Sequence, residues 1–176
     1  MKKLLPFLVS VSLLMVVSCS TPLTDESMDD TLALKKAEKP MNFTAHLSGD
    51  QEVDPVVTDA TGQAVFQLSK DGTSLSYKLI VANIDNVRMA HIHLAPVGQN
   101  GAVVAWLYPS GPPPVLIEGT FNGVLAEGVI TDANVVDPPN IDLTLADVVD
   151  AMMAGNAYVN VHTLAFPGGE IRGQIK

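Results

Sequence analysis

From residue 43 onward, apolar and polar positions alternate in short runs separated by turn formers. Phe43, Ala45 and Leu47 alternate with Thr44, His46 and Ser48, the period of two that marks a half-buried strand. A turn-rich stretch, GDQEVDPVVTDATG, follows. Ala64, Phe66 and Leu68 then alternate with Gln63, Val65 and Gln67. Asp71-Gly72 accepts positive φ at both central positions of a tight turn, and SLSYKLIVANI returns with Leu75, Tyr77, Leu79 and Val81 on one face. Residues 63 to 84 therefore predict a β-hairpin. In RMAHIHLAP, Ala90, Ile92 and Leu94 share one face and His91 and His93 the other, and Pro96 and Gly98 end the strand. VVAWLYP, residues 103 to 109, predicts another strand, followed by a rigid GPPPV loop. VLIEGTFNGVLAEGVIT predicts one or two short strands broken by Gly119, Gly123 and Gly128.

The period changes once. In LTLADVVDAMMAGN, Leu145, Val148, Val149 and Met152 recur at spacings of three and four, a single apolar stripe on a helix. Thr144 is placed to cap it with Asp147 three residues on, and Gly155 to stop it. The methionines read as core packing. In the last segment Val159 and Val161 face one way, and Tyr158, Asn160 and His162 the other. Pro167-Gly168-Gly169 makes a turn, after which Ile171 and Ile175 face the core and Glu170, Arg172 and Gln174 its opposite side. This second hairpin is expected to pair with the strand bearing His91 and His93. The fold class expected is all-β and mainly antiparallel, a β-sandwich with one short helix near the C-terminal hairpin.

The first residues follow a different logic. Lys2 and Lys3 precede an apolar stretch, Leu4 to Val17, too short for a comfortable membrane span. Residues 1–18 have the layout of a secretory signal peptide, and Val16-Val17-Ser18-Cys19 resembles the bacterial lipobox. That resemblance implies a lipidated Cys19 as the mature N-terminus, with Ser20 leaning toward outer-membrane sorting. Cys19 is the single cysteine, so no internal disulfide forms. Residues 19–40 read as a lipidated N-terminus and flexible tether, and residues 41–176 as one domain. Without Lys2 and Lys3, eight basic residues face nineteen acidic ones, a formal charge of −11. That balance argues against nucleic acid as a partner and favours cations or basic protein patches.

The segments FTAHLSGDQEVDPV, ATGQAVFQLSKDGTSLSYKLIVANI, AHIHLAPVGQNGAVVAWL and AGNAYVNVHTLAFPGGEIRGQI, in that order, resemble the CHRD domain. That family is named for chordin, where it occurs in repeats, and it also occurs in bacterial secreted proteins. His91-Ile92-His93 and Tyr158 to Gly173 carry most of the resemblance. The family often has a glycine after the second histidine of this motif, where Leu94-Ala95-Pro96 stands here. The resemblance implies an extracellular β-rich module without a firmly established activity.

His91 and His93 project to one side of their strand, and Asn160 and His162 share a side of theirs. If the strands are neighbours, His91, His93 and His162 converge, enough for copper or zinc with an open position. Asn160, Glu170 and Arg172 are candidates for the surrounding shell, Glu170 as ligand or orienter. The alternative is that these histidines are sheet-face residues bonded to each other, to Thr163 or to loop backbone. A dismutase-like pair of metals needs six histidines and an aspartate, and the chain has four histidines. No catalytic residue is expected: there is no free mature thiol and no G-x-S-x-G. The function expected is a lipid-anchored, non-catalytic binding or structural module of the cell envelope, with a copper- or zinc-binding protein as the alternative. The membrane through its lipid anchor, an extracellular protein and a metal ion are the partners considered.

Overall fold

The computed structural model describes residues 41–139 and 141–176; the expected signal peptide, Cys19 and the expected tether lie outside the described residues. Seven strands form in chain order: β1 (Asn42–Ser48), β2 (Thr61–Leu68), β3 (Leu75–Leu94), β4 (Ala102–Tyr108), β5 (Ile117–Ile130), β6 (Ala157–Thr163) and β7 (Ile171–Gln174). One helix, α1 (Leu145–Met153), precedes β6. Its cap is the one the sequence indicates. The Thr144 hydroxyl accepts from the Asp147 amide, and the Asp147 carboxylate accepts from the Thr144 amide at 2.8 Å. Leu145, Val148, Val149 and Met152 are the buried stripe.

All pairings are antiparallel, and the all-β class with one short helix is what the sequence predicts. The sheet closes on itself. β1 pairs β2, β2 pairs β3, β3 pairs β6, β6 pairs β7 and β7 returns to β1, a barrel-like ring of five strands. β4 and β5 lie outside the ring, each paired to β3.

β3 makes closure possible. Two strands are expected on either side of Asp85; one strand of 20 residues forms instead. Its first half pairs β2 and β5, its second half β6 and β4. The change of partners occurs at a bend where Asn83 and Asn86 take left-handed backbone, φ 56° and 51°. Asparagine tolerates that region better than most side chains. Both bends are tied to β5: the Asn83 amide donates to Asn122 Oδ1 at 2.8 Å, and the Gly119 amide to Asn86 Oδ1 at 2.9 Å. β5 is likewise one strand; Gly119 and Gly123 accompany shifts of register against β3, and Gly128 pairs in register with Tyr77.

A single apolar core is built from all seven strands and α1, including Phe43, Phe66, Leu79, Ile92, Leu107 and Ile171. The other side of β6 and β7 is buried as well, since every residue of both strands is inaccessible. That polar side lies beneath three connections: the segment after β1, residues 95–101, and the β6–β7 turn. Among the described residues no helix is long and apolar enough to cross a membrane.

Candidate metal centre

Register decides which side chains meet, because directly paired residues point to the same face. His91 pairs with Asn160 and His93 with Tyr158 across β3 and β6; Asn160 in turn pairs with Arg172 of β7. His162 lies two residues beyond Asn160, on the same side. The three imidazoles are buried, and one nitrogen from each lies within 4.8 Å of the others. The fourth histidine, His46, is exposed on β1.

The contacts of the rings fix their tautomers. His93 Nδ1 is 2.9 Å from the Gly101 carbonyl oxygen and His162 Nδ1 is 2.9 Å from the Pro167 carbonyl oxygen. A carbonyl only accepts, so both Nδ1 atoms carry the proton and both Nε2 atoms present a lone pair. His91 Nδ1 stands 3.2 Å from His162 Nε2, so His91 donates in that contact when no ion is bound. His91 Nε2 and His93 Nε2 are buried without a partner. Gly101 is required where it stands: a Cβ there would run into the Leu94 carbonyl.

Aromatic walls hold the rings. Trp106 meets His91 edge to face at 4.2 Å, and Tyr158 stacks on His93 at 4.8 Å and 9°. Tyr158 Oη accepts from the Gly101 amide at 3.2 Å, so the residue that orients His93 is itself pinned. Arg172 lies with Cζ 3.4 Å above the Tyr158 ring, close enough for a cation–π contact. Its guanidinium donates to the Gln99 and Pro96 carbonyls at 2.8 and 3.4 Å and to Asn100 Oδ1 at 3.3 Å, clamping residues 96–100 over the sheet.

Burial makes these imidazoles poor proton acceptors. It lowers His91 to about 3, with His162 and His93 adding to the effect. It lowers His162 to about 4, against the opposing bond to Pro167. His93 is lowered by the same cause. All three are therefore neutral at pH 7, the form that binds metals.

His91, His93 and His162 meet, with Asn160 among them and Arg172 one ring away behind Tyr158. Glu170 does not join them. Its oxygens accept from Thr58 and Thr163 hydroxyls, each at 2.7 Å, so it ties the segment after β1 to β6. A residue without any sequence signal takes a place nearby instead. Glu52 is 6% exposed, and its carboxyl and the Asn160 amide both border Gly169. Burial raises it to about 7 despite the nearby Arg172 charge. Glu52 sits in an irregular, turn-rich stretch, where no periodicity assigns a face.

No curated protein and no solved structure matches the chain. The family model of the CHRD domain matches residues 43–175, from the first core residue of β1 to the last residue of the core after β7. The chain belongs to the CHRD domain family.

Proposed function

We propose that this CHRD domain is a copper- or zinc-binding module that uses His91, His93 and His162, carried at the cell envelope on a lipidated Cys19. One observation carries the metal reading: three neutral, buried imidazole nitrogens converge, and two of the rings are oriented by backbone carbonyls. Outer contacts of that kind are what metal-ligating histidines use to fix their tautomer. The 3.2 Å between His91 Nδ1 and His162 Nε2 also fits coordination. Two nitrogens on a tetrahedral ion at about 2.05 Å stand about 3.3 Å apart. As a hydrogen bond alone, the same contact leaves His93 Nε2 unsatisfied, a costly state for a buried polar atom. What supports the envelope location is the leader ending in Val16-Val17-Ser18-Cys19 and the acidic tether behind it.

Metal analysis and calorimetry on the chain test the first half. Stoichiometric copper or zinc at micromolar or tighter affinity is expected, lost in His93→Ala while the fold persists by circular dichroism. No stoichiometric metal, or undiminished binding by the variant, would leave a structural module. For the second half, Cys19→Ala should release the protein from the envelope fraction; unchanged association removes the anchor.

A further inference from the structure

We propose that Glu52 and Asn160 hold a water molecule in the open fourth position of the three-histidine centre, making it a site for small exogenous ligands. This rests on the metal-binding reading above.

Buried side-chain polar atoms almost always have partners. Among the described residues, the buried side-chain nitrogens and oxygens without one are Glu52 Oε1, His91 Nε2, His93 Nε2 and Asn160 Oδ1. They belong to one region. Asn160 is the direct cross-strand neighbour of His91, and its amide nitrogen and Glu52 Oε1 both border Gly169. Glu52 and Asn160 are 6% and 3% exposed. The turn that follows β6 is shaped around them. A Cβ at residue 169 would run into Glu52 Oε1 and come within 2.9 Å of Asn160 Nδ2, so a glycine there leaves the carboxyl its place. The same turn supplies the Pro167 carbonyl that orients His162.

The chemistry of the four atoms identifies what they need. His93 Nε2 is an electron-pair donor, suited to an ion, whereas His91 Nε2 carries the ring proton once Nδ1 ligates. The oxygens are acceptors, suited to a group with hydrogens to give. A metal-bound water satisfies both, with its lone pair on the ion and two hydrogens directed outward. Three imidazoles leave tetrahedral zinc or copper one position for it. A second cation between the oxygens is disfavoured by the Arg172 guanidinium nearby. An anion that replaces the water must sit beside the Glu52 carboxylate, where like charges repel.

The test uses the full chain loaded with Cu(II). Electron paramagnetic resonance in ¹⁷O-enriched water should show coupling to a coordinated oxygen. Azide, followed at pH 8 by its charge-transfer band, should bind weakly to the wild type and at least tenfold tighter to Glu52→Gln, with copper stoichiometry unchanged. Asn160→Ala, a second variant that removes the other acceptor, should shift azide binding in the same direction. Bound copper without an oxygen coupling, or azide affinities within twofold of wild type in both variants, overturns the proposal and leaves the metal-binding reading intact. A wild-type chain that takes up neither copper nor zinc removes that reading and this proposal together.

Discussion

His91 and His162 stay unprotonated well below the range of ordinary imidazoles, because burial denies their cations a hydration shell. The consequence for an ion is that protons compete poorly. At a surface site of three histidines, protons begin to compete with metal below about pH 6.5. Here bound copper or zinc should remain stoichiometric at pH 5.5, as read by dialysis and metal analysis; half-loss near pH 6.5 would contradict the buried geometry. The metal-free chain shows the same shifts with two signs. His91 and His162 titrate lower folded than unfolded, so their contribution is present above pH 6.5 and lost as pH falls toward 4 and 3. Glu52 titrates higher folded than unfolded, so its contribution is present below 4.5 and lost as pH rises through about 7. Metal-free Glu52→Gln should therefore melt above the wild type at pH 8 and lose that advantage by pH 4.5, as thermal scans at the two pH values would show. The histidines were legible because a period of two assigns them a side. Glu52 was not, since its segment has no period and its neighbours come from β6 and the β6–β7 turn.

At the scale of elements, the decisive device is the bend of β3. The sequence around it, Ala82-Asn83-Ile84-Asp85-Asn86, reads as punctuation between two strands, and the chain runs through it as one. Asparagine signals a turn by its tolerance of left-handed backbone, and the same tolerance lets a paired strand change direction without ending. Only the partners on both sides, supplied from far along the chain, distinguish the two outcomes. Asn86→Val combines a β-branched residue at φ 51° with loss of the bond to Gly119, and should cost about 2 kcal/mol in urea unfolding. Asn86→Gly keeps the backbone and loses only the bond, so its cost should be less than half as large. Equal costs would mean that the bend is not held by backbone preference. The helix is the opposite case, because its cap and stripe are local. Thr144→Ala should cost about 1 kcal/mol in the same measurement.

At the scale of the molecule, closure of the sheet accounts for where the site lies. A flat hairpin pair would leave the faces of His91 and Asn160 in water, which is what alternation alone suggests. The ring draws in three connections that cover that side, so β6 is buried on both faces and its polar residues become an interior layer. Alternation reports which residues share a side and is silent on whether that side is wet, and the bonds that cover it span up to 112 positions along the chain.

The clamp that Arg172 places on residues 96–100 bears on how fast anything gets in or out. With Arg172 1% exposed and its guanidinium spent on loop carbonyls, lifting the cover strands an arginine in the interior. Residence time at the centre should then follow the opening rate of that cover rather than the strength of the imidazole bonds. Lysine cannot reproduce the planar fork. Arg172→Lys should therefore speed transfer of the ion to a chelator in a stopped-flow trace by an order of magnitude or more, while equilibrium affinity changes little. The folded domain would behave as a slow vessel, filled and emptied only when its cover breathes.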